Sequence, residues 1–566
     1  MRLRTCFLFC LAAALAWTGY AQPSGGGQQS SASGGQSSAS SGSGSRVESV
    51  YTSAQKQGTQ ALYNFLIAFP KGADLHSHLS GAVYAETFIR DASKDGLCVD
   101  PSLLKFAPPP CKSPLIPATE LTGNITAADQ SLYDKLIDSF SMRSFVPTTG
   151  WSGHDQFFAT FDHFSGLSGS HLAEWIDEVA RRAAAQNNQY LELMETPVFT
   201  NAQQIAKSVG WPAALSQPDV SPMDFAQLRQ QMMDKGLVSE VPADREEVQT
   251  ADAARRAMEG CGTAKTTPAC QVEVRYIYQV LRGRAPEQVF AQTLLGFETV
   301  EASMRAKEDT WVGINFVQPE DGVISMRDYT LQMKMVGYLH TVYPDVPISL
   351  HAGELTLGLV PPDGLRFHIR QAVEIAHAQR IGHGVDLMEE DDAEGLLKEL
   401  AQNHILIEIN LTSNEDILGV KGTDHPFPIY RGAKVPVALS TDDEGVNRID
   451  LTHEYTRAAI DYTLTYANLK GMARESMEHS FLPGASLWAY TDHFEAAVKA
   501  CQADTLGADT PSAGCKAVLD ASEKATAEWE LERRFGAFEA QFSSSGHGGK
   551  GKSGGSAGAG ASNSAK

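Results

Sequence analysis

Histidines and carboxylates stand where short apolar stretches of the sequence end. They are His76 and His78, His351 and Glu354, His383, and the pair Asp442 and Asp443. Residues two apart on a strand point the same way, so the imidazoles of His76 and His78 can face one ion. Adjacent carboxylates at 442 and 443 are unfavourable unless a cation or hydrogen-bond donors lie nearby. Three of these histidines and one aspartate together make a candidate Zn²⁺ site.

Two of these residues have types and neighbours that suit proton transfer. Glu354 follows Gly353, which allows a tight turn, and a carboxylic acid there can donate a proton if partial burial raises its pKa. His383 lies between two glycines, which let the backbone approach a site closely, and it could orient an attacking water. Each residue alone has an ordinary interpretation as a loop or cap residue. Their joint occurrence favours a metal-dependent catalytic site.

Eight short apolar stretches alternate with longer segments of helical pattern. The stretches are 72–79, 189–194, 272–281, 310–317, 346–350, 380–383, 404–411 and 435–440. Nearly continuous apolar character is typical of buried parallel strands, and the helical segments serve as crossovers. We therefore predict an α/β fold, a (β/α)8 TIM barrel with helical insertions at 83–150 and 197–270 over one barrel face. Catalytic groups of such barrels lie at the C-terminal ends of the strands.

The two ends of the chain differ in composition from the middle. Arg2 and Arg4 precede an apolar stretch at 6–17, and residues 19–21 are typical of a signal-peptide cleavage site. We expect a signal peptide at 1–21, a disordered Gly/Ser-rich linker at 22–46, one catalytic domain at 47–542 and a disordered Gly/Ser-rich tail at 543–566. The apolar stretch is short for a spanning helix, which favours cleavage over a membrane anchor. The sequence thus predicts an exported protein, periplasmic or secreted, with no membrane span after cleavage.

Cysteine usage agrees with export. Six of the 8 cysteines lie beyond the signal peptide, in three local pairs: Cys98 with Cys111, Cys261 with Cys270, and Cys501 with Cys515. An even number in an exported protein predicts disulfides, and we prefer nearest-neighbour pairing among the connectivities that six cysteines allow. The sequence has no CxxC spacing, which disfavours a cysteine metal site.

The formal net charge of -22 bears on the class of partner. Phosphate backbones and anionic lipid surfaces attract clustered Lys and Arg, so the charge disfavours nucleic acid and membrane surfaces as ligands. We expect a small molecule instead. The oligomeric state does not follow from the sequence.

The motifs together resemble a known family. They stand in the order found in the adenosine deaminase family of metal-dependent hydrolases: His76-Ser-His-Leu-Ser-Gly81, His351-Ala-Gly-Glu354, Gly382-His-Gly384, Ser413-Asn414 and Ser440-Thr-Asp-Asp443. Phe157 and Phe161, four residues apart in a helical segment, are similar to the apolar lid over the purine in that family. Ordinary packing on one helix face is the alternative for the two phenylalanines.

The resemblance implies a role for each residue. The metal ligands it implies, for one zinc ion, are His76, His78, His351 and Asp442. The residues it implies for substrate contact are Asp443 (at purine N7), Ser80, Gln318, Phe157 and Phe161. Glu354 would protonate purine N1, and His383 would orient the attacking water and help take its proton. The implied reaction is hydrolytic deamination of adenosine or 2′-deoxyadenosine to inosine or 2′-deoxyinosine, with release of ammonia.

Two departures from the family concern the substrate rather than the metal. Where the family has an Asp that contacts the sugar 5′-hydroxyl, this chain has Ser80, and where it has a Gly near the purine, this chain has Gln318. Two alternatives therefore stay open. The chain could be a deaminase of adenine or of an N6-substituted purine, or a catalytically silent extracellular binding protein that retains the barrel.

Overall fold

The structure, a computed structural model, describes residues 40–123, 126–217, 220–308 and 310–543. The predicted signal peptide, residues 22–39 of the predicted linker and the predicted tail from 544 onward lie outside the described residues. The first helix, α1 (Ser40–Gln57), begins inside the range predicted as linker, and its Val47 and Tyr51 are fully buried. Among the described helices, none is both long and apolar enough to cross a bilayer.

Thirteen strands lie in the described residues, and eight of them form the central barrel. In chain order they are β1 (Gly72–His78), β2 (Cys98–Asp100), β3 (Lys105–Ala107), β4 (Ile116–Pro117), β5 (Asn188–Glu195), β6 (Glu273–Leu281), β7 (Trp311–Val317), β8 (Ser349–Ala352), β9 (Arg380–His383), β10 (Leu406–Ile409), β11 (Val437–Leu439), β12 (Trp488–Tyr490) and β13 (His493–Ala497). The barrel consists of β1 and of β5 to β11, and each of these strands overlaps one of the eight predicted stretches. The stretch predicted at 346–350 ends too early, because β8 extends through His351.

The barrel forms from two parallel sheets of four strands that are joined at both edges. Their strand orders are β1-β5-β6-β7 and β11-β10-β9-β8. Parallel bridges between Ile314 and Ile348 and between Ser77 and Asp442 connect the sheets. At the second junction Asp442 N–H donates to the carbonyl of His76 at 2.8 Å. The predicted (β/α)8 TIM barrel is confirmed, and its closure brings two of the predicted metal ligands together.

Twenty-one α-helices are found in the described residues, and those between barrel strands form the outer layer. After α1 they are α2 (Thr59–Leu66), α3 (Leu79–Ala82), α4 (Ala85–Lys94), α5 (Ala127–Ser139), α6 (Gly153–His163), α7 (Leu172–Ala185), α8 (Thr200–Val209), α9 (Ala226–Asp234), α10 (Val241–Met258), α11 (Pro286–Ala306), α12 (Val323–Val342), α13 (His368–Glu374), α14 (Ala393–Gln402), α15 (Leu411–Leu418), α16 (Phe427–Gly432), α17 (Glu444–Asn447), α18 (Leu451–Asp461), α19 (Tyr466–Glu478), α20 (Ala513–Asp520) and α21 (Glu523–Ser543). Trp311 of β7 packs against Tyr276 and Tyr278 of the neighbouring β6, and its indole N–H donates to the carbonyl of Asp244 in α10 at 3.0 Å. This burial of apolar surface stabilises the barrel.

The predicted insertions take two different positions. The first contains the small antiparallel sheet β3-β2-β4 with α4 and α5, and its core includes Phe157 of α6 and Val446 of α17. It therefore packs over the C-terminal ends of the strands, as expected. The second contains α8 to α10, which pack against α7 and α11 on the outside of the barrel, and not over that face as predicted. The reason is that the apolar faces of α8 and α10 are buried against outer-layer helices.

Three disulfides join the cysteines in the nearest-neighbour pairing that we preferred. Cys98 is bonded to Cys111 in the first insertion, and Cys261 to Cys270 at the end of the second. Cys501 is bonded to Cys515 between the β12-β13 hairpin and α20.

Candidate active site

The four predicted metal ligands meet at the C-terminal end of the barrel. The Nε2 atoms of His78 and His351 lie 3.2 Å apart, and Oδ1 of Asp442 lies 3.3 Å from Nε2 of His78 and 3.7 Å from that of His76. One ligand atom from each of the four residues lies within 4.8 Å of the others. Zinc bonds of about 2.0–2.1 Å in a tetrahedral arrangement separate ligand atoms by about 3.3 Å, so these distances suit one ion.

The three histidine donors are in the chemical state that metal binding requires. Burial and the nearby charge of Arg380 lower the pKa of His76 to about 3, and burial lowers the pKa of His78 and His351 well below 6.5. All three imidazoles are therefore neutral, as metal ligands must be. Nε2 of His76 is buried without a hydrogen-bond partner in the described residues, an unusual state for a polar atom. A cation at the common point of the four residues would satisfy it.

Each of the three histidines has a partner on its other ring nitrogen. Nδ1 of His76 lies 2.6 Å from Glu408 Oε2, and Nδ1 of His351 donates to Asn315 Oδ1 at 2.8 Å. The side-chain amide of Gln279 lies 2.6 Å from Nδ1 of His78. The oxygens beside His76 and His351 accept from Nδ1 and fix the tautomer that presents Nε2 to a metal. The Gln279 amide fixes the orientation of the His78 ring. The sequence analysis missed all three, although each is a polar residue inside an apolar barrel strand, which is itself a signal.

Glu354 and His383 lie beside the ligand Asp442, and of the two Glu354 also lines the cavity described below. Nδ1 of His383 is 3.7 Å from Glu354 Oε1, and its Nε2 is 3.8 Å from Asp442 Oδ2. Burial and the neighbouring carboxylates of Asp442 and Glu320 raise the pKa of Glu354 well above its usual 4.5. Glu354 therefore keeps its proton to a higher pH than an ordinary glutamate, as a proton donor requires. The side-chain amide of Asn414, from the predicted Ser-Asn motif, lies 2.9 Å from His383 Nδ1.

A cavity of about 360 Å³ opens in front of these groups. All five residues predicted to contact the substrate line it: Asp443, Ser80, Gln318, Phe157 and Phe161. So do seven residues that the sequence motifs did not indicate: Phe158, Asp162, Thr196, Gln279, Leu281, Val317 and Pro319. Its size is in the range of small-molecule sites, and a band of apolar side chains faces a few polar groups. None of the residues that line it is Lys or Arg.

Asp443 reaches this cavity because Gly81 leaves it room. A Cβ added to Gly81 would lie 1.5 Å from Oδ1 of Asp443, so any larger residue would displace the carboxyl group. The same Oδ1 is buried and has no hydrogen-bond partner among the described residues. Burial and the charges of Asp442 and Glu354 raise the pKa of Asp443 well above its usual 3.8. A protonated Asp443 could donate a hydrogen bond to a ring nitrogen.

Gln318 adopts a backbone conformation that favours glycine. Its φ of 87° lies in the left-handed region, which costs a side-chain-bearing residue free energy. Oε1 of Gln318 accepts a hydrogen bond from the backbone N–H of Gly283 at 2.9 Å, which holds the side chain against the loop after β6. The chain therefore retains a glycine-like backbone here while adding a polar side chain to the cavity wall.

The lid residues lie on α6, whose start is well defined. Ser152 and Asp155 form a capping box at its N-terminus. The rings of Phe157 and Phe161 are 5.9 Å apart, and Phe157 is buried in the core of the first insertion. The lid and the packing interpretations therefore both apply, since the two phenylalanines pack in an apolar core and also line the cavity.

The barrel and this site define an α/β-barrel enzyme with a candidate metal centre beside a buried acid. Residues 151–493 match the family model for adenosine deaminase. The chain belongs to the adenosine deaminase family, whose members are hydrolases that act on C–N bonds, and the resemblance drawn from the motifs is confirmed.

Individual relatives are more distant. An adenosine deaminase of Clostridium perfringens is 33% identical over 135 residues, which is 24% of this chain and 37% of that protein. The chain thus matches little more than a third of that relative's length. A solved adenine deaminase from Arthrobacter aurescens is 15% identical, with a TM-score of 0.46 over 73% of this chain and 94% of that chain. An N6-mAMP deaminase of Arabidopsis is 20% identical, with a TM-score of 0.47 over 74% and 96% of the two chains.

Proposed function

We propose that this chain catalyses the zinc-dependent hydrolytic deamination of adenosine and 2′-deoxyadenosine to inosine and 2′-deoxyinosine, with release of ammonia. One observation supports this most strongly. The four ligand atoms of His76, His78, His351 and Asp442 lie within 4.8 Å of one another, next to a cavity that Glu354 also lines. The family membership and the 33% identical relative, an adenosine deaminase, agree with it.

The side chains supply the proton transfers that this reaction needs. Zinc held by the four ligands would lower the pKa of water from 15.7 to about 7. Glu354, kept protonated by burial, donates to purine N1 and leaves C6 electron-poor. His383 orients the water that attacks C6 and takes up its proton, while Asp443 holds N7. The C6–N6 bond then breaks, and the proton taken up by His383 passes to the departing amino group, which leaves as ammonia.

The cavity lining favours an uncharged ligand over a phosphate ester. Carboxyl groups of Glu354, Asp442, Asp443 and Asp162 line it, and no Lys or Arg does. A phosphate monoester would find no Lys or Arg in the lining to donate a charge-assisted hydrogen bond. The rings of Phe157 and Phe161 suit the flat, largely apolar faces of a purine. We therefore propose a nucleoside rather than a nucleotide.

A second candidate is a deaminase that prefers adenine or an N6-substituted purine. Ser80 supports it, since Ser80 lines the cavity where the family has the Asp that contacts the sugar hydroxyl. Gln318 supports it too, because its side chain lines the cavity at a position where the family has a glycine without one. A silent binding protein has less support, because such a protein has no need of a buried acid beside a metal set.

A panel assay tests these proposals. Purified protein loaded with zinc is given adenosine, 2′-deoxyadenosine, adenine, N6-methyladenosine and AMP. The ultraviolet shift toward the hypoxanthine chromophore is followed together with the release of ammonia, or of methylamine from N6-methyladenosine. We expect the highest kcat/KM with adenosine or 2′-deoxyadenosine and the lowest with AMP. Highest efficiency with adenine or N6-methyladenosine would favour the second candidate. Zinc-loaded protein that changes none of the five would refute a deaminase function.

We also propose that the chain is exported and acts in the periplasm or outside the cell. The basic start, the apolar stretch at 6–17 and the residues at 19–21 support a cleaved signal peptide. Three disulfides support an oxidising compartment. N-terminal sequencing of protein from a secreting host should give Gln22 as the first residue. A mature chain that still begins at Met1 would contradict the proposal.

A further inference from the structure

A second buried carboxylate lies directly behind the turn that carries Glu354. Glu320, in the loop between β7 and α12, is 1% exposed. Its Oε2 accepts a hydrogen bond from the backbone N–H of Glu354 at 2.7 Å, and its Oε1 accepts one from that of Gly353 at 3.1 Å. One carboxylate thus holds two successive N–H groups of the turn after β8, and such charge-assisted bonds are strong.

His368 fixes this carboxylate in turn. It is the first residue of α13 and fully buried, and its Nδ1 donates to Oε1 of Glu320 at 2.5 Å. The ring stacks on Tyr329 with centroids 3.7 Å apart, and the Tyr329 hydroxyl donates to the carbonyl of His368 at 2.9 Å. Burial alone would raise the pKa of Glu320, but His368 and the charge of Arg282 outweigh it and lower the pKa to about 2. Glu320 is therefore a charged acceptor.

The turn has little room to relax on its other side. Gly353 has a φ of 74°, and a Cβ added there would lie 2.5 Å from Oδ1 of Asp386 and 2.9 Å from the side chain of Ile369. The backbone of the turn is thus confined between the loop after β9 and α13 on one side and Glu320 on the other. The direction in which Glu354 leaves β8 depends on both.

We infer that Glu320 is a positioning residue for the acid Glu354: its carboxylate, held by His368, clamps the two N–H groups of the turn and aims the Glu354 side chain at the cavity. Glu320 does not line that cavity, so it acts through Glu354 and not on the substrate. The inference rests on the proposed function, in which Glu354 is the proton donor. Misplacing a catalytic group by about 1 Å can cost about 100-fold in rate.

The chain offers a matched control in Glu390. This residue is also buried, and its Oε1 accepts hydrogen bonds from the backbone N–H groups of Ile369 at 2.6 Å and Arg370 at 3.3 Å. It thus clamps the first turn of α13 as Glu320 clamps the turn after β8. It does not line the cavity. Replacing either glutamate by Gln keeps the size of the side chain and removes a carboxyl group from a clamp of two successive backbone N–H groups.

Steady-state kinetics on the zinc-loaded full chain compare Glu320→Gln with Glu390→Gln. We expect Glu320→Gln to lower kcat for adenosine by about 10- to 100-fold, with KM within about twofold. Zinc content should stay at one per chain, and Glu390→Gln should keep kcat within about twofold of wild type. In a Glu354→Gln background, adding Glu320→Gln should leave the residual rate unchanged, because both act through one group. Equal losses from the two Gln variants, lost zinc, or a further loss in that background would overturn the inference.

Hydrogen exchange supplies a readout that does not depend on activity. In Glu320→Gln, the amides of Gly353 and Glu354 should exchange faster than in wild type and in Glu390→Gln, as measured by mass spectrometry on a peptide spanning 350–356. Unchanged exchange in Glu320→Gln would overturn the inference, whether or not the wild type is active. A wild type that deaminates no purine would instead refute the proposed function. If Glu320→Gln does not fold, His368→Phe keeps a ring against Tyr329 and removes only the donor. In His368→Phe, kcat should fall and amide exchange should speed up, both by less than the effects expected for Glu320→Gln. Wild-type values of both would contradict the inference.

Discussion

The two ends of the cavity differ in how their side chains are held and in how closely they follow the family motifs. At the metal end, His76 and His351 each have a second partner, Glu408 and Asn315, that fixes the ring. At the outer end, Ser80 lies on the four-residue helix α3, and the lid phenylalanines lie on α6, which follows the first insertion. The chain keeps the family pattern at the metal end and departs from it at the outer end. The comparison teaches that the reaction is set at one end and the choice of substrate at the other.

Removing a metal ligand should break the comparison most strongly. His78→Ala takes one of the four ligand atoms away, so we expect bound zinc to fall from one per chain toward none. Deamination should fall by more than the ~10²–10⁴-fold expected for loss of a single proton donor. Metal analysis and the adenosine assay measure both. His340→Ala is the control, since His340 lies on α12 beside His377, outside the cavity and in no candidate metal group, and this variant should keep one zinc per chain. Equal zinc loss in both variants would contradict the assignment.

Replacing the acid should separate chemistry from metal binding. Glu354→Gln preserves size but has no proton to donate, so kcat for adenosine should fall by about 10²–10⁴-fold. Zinc content should remain at one per chain, because Glu354 is not one of the four ligands. Stopped assays for inosine together with metal analysis check the two expectations. A variant with near wild-type kcat would show that the proton comes from elsewhere.

Weakening a ligand's partner should give a smaller effect at the same end. Glu408→Gln leaves His76 in place but replaces the carboxylate that orients it, so zinc affinity should fall by about 10- to 100-fold. Competition with a chelator measures this. Glu475→Gln is the control. Glu475 Oε2 accepts from the N–H of Val437 at the start of β11, whereas the ligand Asp442 follows the end of that strand. Unchanged affinity in Glu408→Gln would mean that the geometry of His76 does not depend on Glu408.

The outer end should give the smallest and most selective effect. Ser80→Asp restores the family's carboxylate, and a charged acceptor adds about 1 kcal/mol to a hydrogen bond over a neutral one. We expect the KM of adenosine to fall about fivefold, with no change for 5′-deoxyadenosine or adenine, which lack the 5′-hydroxyl. The three KM values measure this, beside Ser80→Ala. An equal change for all three ligands would show that Ser80 does not face the sugar.

Most of the barrel could be predicted because its strands are buried on both faces. Their continuous apolar runs distinguish them from the helices between them, and the ligands follow from residue types that zinc accepts. The end of β8 was misplaced because His351 interrupts the apolar run although it pairs within the sheet. The position of the second insertion could not be read, because its apolar residues indicate burial but not against which surface.

The partners of the site residues were missed for a related reason. Through these hydrogen bonds Glu408, Asn315 and Glu320 contact residues from 33 to 332 positions away, and no local pattern encodes such distances. The left-handed backbone of Gln318 was also hidden, since its sequence neighbours predict an ordinary strand end. Local patterns thus gave the chemistry, and only the closed barrel gave the groups that hold it in place.

One measurement tests the central claim most directly: anomalous diffraction at the zinc absorption edge on crystals of the full chain. The account predicts one strong peak per chain, with Nε2 of His76, His78 and His351 and an oxygen of Asp442 at about 2.0–2.2 Å from it. A peak at another place, or an ion that leaves out two or more of these four residues, would contradict it.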